Sequence, residues 1–452
     1  MRFPHGVFSS SLELSNQNNI MLNRIFNKKP RYFLYTILLF SMQHVFADIF
    51  VNTEVDTTRE QIEKLPTDDI WWTVYGEDML WNFKNLNKIF PTNTIYRNGP
   101  VKDLRLNISK KIANTKIQTP SGPMTFESFI HSDLSTAISV LILHKGEIVY
   151  EKYPRMKPHE KPVFWSVAKV FSSTLVTMLE EQGRIDTILP IDMYLPELKG
   201  SDFEGILVQN ILDMATGIRC SEEYENKQAC YYVYSSAIGD GFWTTESPDN
   251  PYEFVAKIKV GKFAEQGQQF DYSGVNTFIL GWLVEKITGL QFQDALSEMI
   301  WTKMGAEADG AFFAPRYGVP VIHGGFLARP RDVARFGLLF TPSFNKVSDS
   351  RLISEKHINK LLYSGRPSLI IKPGTPSYIP GLKHNIDQWD MVFENGNIYK
   401  GGWAGQGLIV NPLEDYVVVW NSYFKDTQES ETKLTPVIFE LMDSLYKNNN
   451  DL

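Results

Sequence analysis

The chain has 452 residues, 43% of them hydrophobic and 21% charged, with a formal net charge of −7. That length allows a large core and two or three structural units, and the composition excludes a low-complexity or disordered chain. The acidic balance gives no general attraction to a phosphate backbone, which argues against nucleic acid as a partner.

A targeting pattern comes first. The basic stretch NRIFNKKPR precedes the apolar run YFLYTILLFSM, and VFA at Val45 to Ala47 has small residues at its outer positions. This order predicts a signal peptide over residues 1–47, cleaved after Ala47, and a periplasmic or secreted protein. Met21 is an alternative start. The apolar run is short for a bilayer span, so an uncleaved signal anchor would be the one route to membrane contact. Export makes Cys220 and Cys230 informative. In an oxidising compartment a pair this close is expected to form a disulfide that closes a short loop, with two free thiols as the alternative.

Residues 48–134 read as an N-terminal extension packed on the catalytic domain. Its stretch DDIWWTVYGEDMLWNF is either a surface helix or an irregular aromatic cluster. Two β-rich runs then flank His144-Lys145-Gly146 and predict a hairpin. From Ser166 to about Gln182 the chain is apolar almost all round, which predicts a buried helix stopped by Gly183.

Residues 190–340 predict a mainly helical subdomain, carried by VQNILDMATG, YEFVAKIKVG, NTFILGWLVEKITG, FQDALSEMIWTKMG and RPRDVARFGLLF. The charges of RPRDVARFG suggest a surface helix with local ion pairs. Strand character returns in GNIYKGG, GQGLIVNP and EDYVVVWNSYF, with a turn over Pro412 to Asp415, and TPVIFELMDSLYK ends the chain as a helix. Residues 135–189 and 341–452 are therefore expected to share an α/β subdomain with a central sheet. The fold class is α+β: an antiparallel β-sheet flanked by helices, with an inserted mainly helical region.

The stretch FWSVAKVF holds the first chemical signal. Ser166 and Lys169 are three residues apart, so one helix face carries both. Burial disfavours an ammonium, and a neutral lysine can take the serine proton and create a nucleophile. A serine at the helix start also lies near unpaired backbone N–H groups. The spacing alone is weak, since it recurs at Ser343/Lys346, Ser422/Lys425, Ser430/Lys433 and Ser444/Lys447, but only Ser166 opens a long apolar helix. Tyr272, just before another helix, is a second candidate, because a tyrosine beside two lysines ionises more easily and can relay protons. Lys400-Gly401-Gly402 opens a strand-like run whose small residues would let substrate lie along the backbone. The Trp403 N–H could then share an oxyanion with that of Ser166.

Other patterns are weaker. No G-x-S-x-G occurs, so an α/β-hydrolase elbow is absent. His323 reads as a loop or core histidine and Asp213 as a helix-end carboxylate, and no metal-ligand spacing is present. Neither a metal nor an organic cofactor is implied.

A serine-x-x-lysine helix, a tyrosine before a helix and a lysine-x-glycine strand, in that order, resemble the serine β-lactamase and penicillin-binding protein superfamily. The stretches SVAKVFSSTLV, ILDMATGIRCSEEY, FDYSGVNTFILGWLVEKITG, GAEADGAFF, GGFLARPRDVARFG and GGWAGQG look most like the 6-aminohexanoate-dimer hydrolase and esterase type. The likeness runs over roughly residues 120–425. It implies that Ser166 is the acylated nucleophile, Lys169 its base and Tyr272 the general acid/base. Lys400 and Gly402 would form the third motif, and Trp403 would donate to the oxyanion. Tyr224 falls where such relatives place a tyrosine on a substrate-side loop, and Asn276 stands where amide and ester hydrolases have it. Tyr224 to Asn226 is also a rival tyrosine motif, but it precedes a polar loop rather than a matching helix. Gly274 and Gly401 depart from the β-lactam enzymes, which carry asparagine and threonine there. The resemblance implies a serine hydrolase acting on a small amide or ester. The alternatives are a D,D-peptidase or β-lactamase-like enzyme, or a non-catalytic binding protein on the same fold.

Overall fold

A computed structural model describes residues 54–119, 121–371, 379–429 and 433–447. The expected signal peptide and its cleavage site lie outside the described residues. Among the described residues, no helix is long and apolar enough to cross a membrane.

The central element is an antiparallel sheet built from both ends of the described chain. Its strands are β1 (Ser139–His144), β2 (Glu147–Lys152), β3 (Leu382–Ile386), β4 (Trp389–Phe393), β5 (Ile398–Gly402), β6 (Gln406–Asn411) and β7 (Tyr416–Asn421). Among the described residues they lie in the order β2-β1-β7-β6-β5-β4-β3. The junction between the distant halves is the β1–β7 pair, in which Ile142 faces Val418 and Val140 faces Trp420. Lys145 and Gly146 turn the first hairpin as expected, both at positive φ.

The continuous apolar runs in SVLILH and YVVVWN follow from burial on both faces. Leu141, Leu143, Leu408, Val410, Val417 and Val419 point into one core. Val140, Ile142, Ile409, Val418 and Trp420 alternate into the other, which the C-terminal helix covers through Ile438, Leu441 and Met442. Two strands of this sheet, β3 and β4, were not legible as strands.

Three helices position the chemistry: α1 (Lys169–Glu181), α2 (Gly274–Thr288) and α3 (Pro330–Leu338). The first two pack on each other, and α3 lies on the sheet. Its Gly337 allows that approach, since a β-carbon there would come within 2.6 Å of Val417 Cγ1. The expectation of a surface helix at RPRDVARFG is overturned. Asp332 and Arg335 are both fully buried, and their ion pairs are internal: Arg335 meets Asp332 at 3.4 Å and Glu307 at 2.9 Å. The sequence reading erred because buried arginine is rare unless it is paired, and here both terminal guanidinium nitrogens are held, by Asp332, Glu307 and the Arg331 and Lys102 carbonyls.

Within the region expected to be mainly helical, Gly310–Phe313 and Phe326–Leu327 form strands that pair with each other, and Gly310–Phe313 also pairs with Thr92–Ile95. The aromatic stretch near residue 72 combines both readings offered for it. Trp71 and Trp72 are buried in an irregular segment, and a helix follows at Gly76–Ile89.

Candidate active site

The segment that carries Ser166 is held before its helix begins. The Val163 N–H donates to the Phe83 carbonyl and the Phe164 N–H to the Phe326 carbonyl, each at 2.9 Å. Residues Trp165–Ala168 then form a 3₁₀ turn that runs into α1. Trp165 has φ of +46°, a left-handed conformation that costs a bulky residue energy. Packing keeps it there: its ring lies 5.9 Å from Trp71, 5.7 Å from Phe83 and 5.7 Å from Trp403.

Ser166 and Lys169 meet as the spacing required. Lys169 Nζ donates to Ser166 Oγ at 2.9 Å and to the His323 carbonyl, also at 2.9 Å. Lys169 is 0% exposed. Burial pulls its pKa down to about 8 from the ordinary 10.5; the Glu222 carboxylate opposes that shift and Lys400 adds to it.

Tyr272 lies between the two lysines. Both amines sit 4.8 Å from its ring centroid, and Lys400 Nζ donates to its hydroxyl at 2.9 Å. The expected easy ionisation is overturned. Burial, followed by the Asp390 and Glu222 carboxylates, holds the phenol well above its ordinary value of 10. Tyr272 is a neutral phenol at physiological pH, able to pass a proton along but not to serve as a standing phenolate.

Lys400 is anchored by a residue that sequence reasoning missed. Its Nζ meets Asp390 Oδ1 at 2.5 Å, while Asp390 Oδ2 accepts the Gly401 N–H at 2.9 Å. Asp390 sits on β4, beside β5, where Tyr399 faces Met391. Once β4 is recognised as the neighbour of β5, a carboxylate opposite Lys400 follows from the register.

The two glycines have distinct physical reasons. A β-carbon at Gly402 would lie 2.5 Å from the Phe164 carbonyl oxygen, so what its missing side chain accommodates is the segment leading into Ser166. A β-carbon at Gly274 would strike the Tyr231 hydroxyl at 2.5 Å and the His323 ring at 2.8 Å. An asparagine would not fit at that position. Trp403 follows β5 in the turn to β6, with its ring against Trp72, Trp165 and Phe424.

Tyr224 reaches the same region, its hydroxyl donating to Glu222 Oε1 at 3.1 Å. Cys220 and Cys230 form the expected disulfide, with Cα atoms 5.1 Å apart, and bound the loop that carries Tyr224. Asn276 does not join the group. It is buried on α2 and its amide donates to Met214 Sδ at 3.4 Å. Helix periodicity turns it inward when Gly274 faces His323 and Tyr231. His323 is a buried histidine bonded to Asp240 and Tyr234, as its bland reading implied, yet its carbonyl receives Lys169. Asp213 follows a short helix and is tied to Arg366 at 2.7 Å.

The family model described as Beta-lactamase matches residues 126–442. The chain belongs to the beta-lactamase family. It is a serine hydrolase of that superfamily, within which its likeness is to the 6-aminohexanoate-dimer hydrolase type. A 6-aminohexanoate-dimer hydrolase from Paenarthrobacter ureafaciens is 27% identical over 366 residues, covering 80% of this chain and 89% of that one. A Beta-lactamase from Providencia stuartii is 28% identical over 181 residues, 38% of this chain and 40% of its own. Among solved structures, one from Bacillus anthracis described as a candidate 6-aminohexanoate-dimer hydrolase aligns with a TM-score of 0.70 at 21% identity. It covers 82% of this chain and 96% of its own. That structural likeness bears on the fold.

Proposed function

We propose that this family member is an exported hydrolase that cleaves a small amide or ester through an acyl-serine intermediate on Ser166. The observation that carries the reading is the fully buried Lys169 amine 2.9 Å from Ser166 Oγ, with its pKa lowered to about 8. A base in that range is substantially neutral at the pH of mildly alkaline solution and can accept the hydroxyl proton during attack.

In this reading Lys169 Nζ takes the Ser166 proton as Oγ bonds to the substrate carbonyl carbon. The backbone N–H groups of Ser166 and Trp403 receive the oxyanion. Tyr272, held by Lys400, passes a proton to the leaving amine or alcohol, and water then releases the acid and restores the serine. Tyr224 contacts the substrate from the disulfide-bounded loop. The small amide named in the relative from Paenarthrobacter ureafaciens supports an amide or ester as the substrate class. Export rests on the basic and apolar order of residues 22–47 and is consistent with the disulfide.

Intact-mass analysis with a fluorophosphonate and with a penicillin-type probe tests the reading on wild type and Ser166→Ala. Fluorophosphonate labelling of wild type alone, with slow or no penicillin adduct, is the expected result. Rapid β-lactam acylation would move the assignment to a peptidoglycan-type substrate. Label on neither protein would overturn acyl-serine chemistry.

A further inference from the structure

Glu222 lies in the polar stretch RCSEEYEN, where a glutamate would ordinarily be a solvated loop acid. Its placement is different. Oε2 is buried without a hydrogen-bond partner, and it faces Lys169 Nζ at 4.0 Å. Oε1 accepts the Tyr224 hydroxyl at 3.1 Å. The backbone is fixed as well. The Glu222 N–H donates to the Tyr272 carbonyl at 2.9 Å, and Ser273 Oγ donates to the Cys220 carbonyl at 2.7 Å. The Cys220–Cys230 disulfide closes the loop behind it. Four separate constraints thus aim one carboxylate at the catalytic amine.

We propose that Glu222 is a positioning residue acting through Lys169: it is the counter-charge for the ammonium that Lys169 becomes while it holds the Ser166 proton. The inference rests on the acyl-serine reading above. During attack the Oγ–H bond breaks and an Nζ–H bond forms, while the Oγ–carbon bond forms and the carbonyl electron pair moves onto the oxyanion. Positive charge appears on Nζ, and no proton moves to Glu222.

Geometry favours that division of labour. An ammonium has three N–H donors. Ser166 Oγ and the His323 carbonyl accept two of them, and Glu222 Oε2 faces the amine at 4.0 Å, an ion-pair distance. While Lys169 is neutral, the Glu222 carboxylate faces an uncharged amine; protonation of that amine turns the contact into an ion pair. The charged groups acting on Lys169 are Glu222, Lys400, Asp390 and Asp240. Asp390 is bonded to Lys400 and Asp240 to His323. Among the described residues, Glu222 is the carboxylate within 4.0 Å of the Lys169 amine. Its field therefore favours the state that exists only during and after proton transfer, which is where stabilisation raises kcat.

The test measures the pH profile of kcat/KM for a p-nitrophenyl ester in wild type, Glu222→Gln, Glu222→Asp, Ser166→Ala and Lys169→Ala. Glu222→Gln keeps an acceptor for Tyr224 and removes only the charge. It is expected to lower the plateau about tenfold and to move the acidic inflection to lower pH, because Lys169 then binds its proton less tightly. Glu222→Asp is expected to recover part of both effects. In fluorophosphonate labelling, Lys169→Ala/Glu222→Gln should react no more slowly than Lys169→Ala, since Glu222 acts through the amine. An unchanged plateau and inflection in Glu222→Gln, with Ser166→Ala and Lys169→Ala inactive, would overturn this inference alone. Turnover retained by Ser166→Ala or Lys169→Ala would overturn the acyl-serine reading instead. Should Glu222→Gln not fold by thermal melting, Glu222→Asn, which also removes the charge, takes its place, and a wild-type plateau and inflection in it would be the overturning result.

Discussion

The Trp72 ring meets the Trp403 ring edge-on, with centroids 4.5 Å apart. Trp403 is the residue assigned to the oxyanion, and Trp72 belongs to a segment ahead of residues 126–442, the part matched by the family model. Trp72 also lies 4.8 Å from Tyr224 and 5.9 Å from Trp165. One residue from outside the matched region thus backs the turn before Ser166, the β5–β6 turn and Tyr224 together. Trp72→Ala is expected to cost about 3 kcal/mol of stability, the usual penalty for emptying a large aromatic site. It should also lower kcat for ester hydrolysis, because the turns that set the oxyanion geometry lose their common support. Trp72→Phe should retain most of both. Thermal melts and ester kinetics on the two variants check this. A Trp72→Ala enzyme with wild-type kcat would show that the aromatic wall is not needed for positioning.

Lys169 sets a pH dependence with a definite sign. Its pKa is lowered to about 8, chiefly by burial, and the proposed base is the neutral amine. Activity should therefore rise with pH and level off above an inflection near 8, falling about tenfold for each unit below it. A kcat/KM profile from pH 6 to 10 checks this, read against thermal stability at each pH. A profile flat between pH 6 and 9 would show that no group titrating near 8 must lose a proton for the reaction.

Gly402 makes a steric claim that can be isolated. The β-carbon of Gly402→Ala would stand 2.5 Å from the Phe164 carbonyl oxygen, which is backbone and cannot swing aside. The strand must retreat from the nucleophile turn, at a cost of about 1–3 kcal/mol for overpacking. A shift of a few tenths of an ångström at the oxyanion is expected to reduce kcat by one to two orders of magnitude. Gly401→Ala is the comparison. Its β-carbon meets the Tyr399 hydroxyl at 2.6 Å, the far end of a side chain that can move, so its loss should be smaller. Equal activity in the two variants would remove the steric argument.

The cluster of Ser166, Lys169, Tyr272 and Lys400 was legible because its members carry local signals. Ser166 and Lys169 share one turn, Tyr272 precedes a long helix, and Lys400 opens a β-run; hydrophobic pattern and chain order were enough to find them. Glu222 and Asp390 were not legible, since each is an ordinary acid in a polar or mixed stretch and gains its meaning only across strands or loops. The same holds for Trp72, whose importance lies in contacts with residues more than ninety positions away. Asn276 failed in the opposite direction, because family position suggested a role while helix rotation gave it a sulfur partner inside the core. Tyr272 shows why charge neighbours alone mislead: two lysines favour the phenolate, but burial and two carboxylates outweigh them.

His357 offers a stability experiment independent of the active site. It lies buried in the helix Glu355–Tyr363, packed on Phe340, and its Nδ1 has no hydrogen-bond partner. Burial lowers its pKa to about 4; Asp387 opposes that shift and Lys360 adds to it. In the unfolded chain a histidine titrates near 6.5. Between those two values the unfolded state binds more protons than the folded one, so stability falls as pH falls from 6.5 towards 4. The full difference amounts to roughly 3 kcal/mol. Asp213 and Asp332 act in the opposite sense, since burial raises both to about 6 and they favour the folded state as pH falls towards 4. They are common to wild type and variant, so the informative quantity is the difference between the two. Denaturant unfolding of wild type and His357→Gln at pH 7.5 and pH 4.5 should show wild type losing roughly 2–3 kcal/mol more than the variant over that interval. Parallel losses in the two proteins would mean that the His357 ring gains its proton in the folded state as readily as in the unfolded chain.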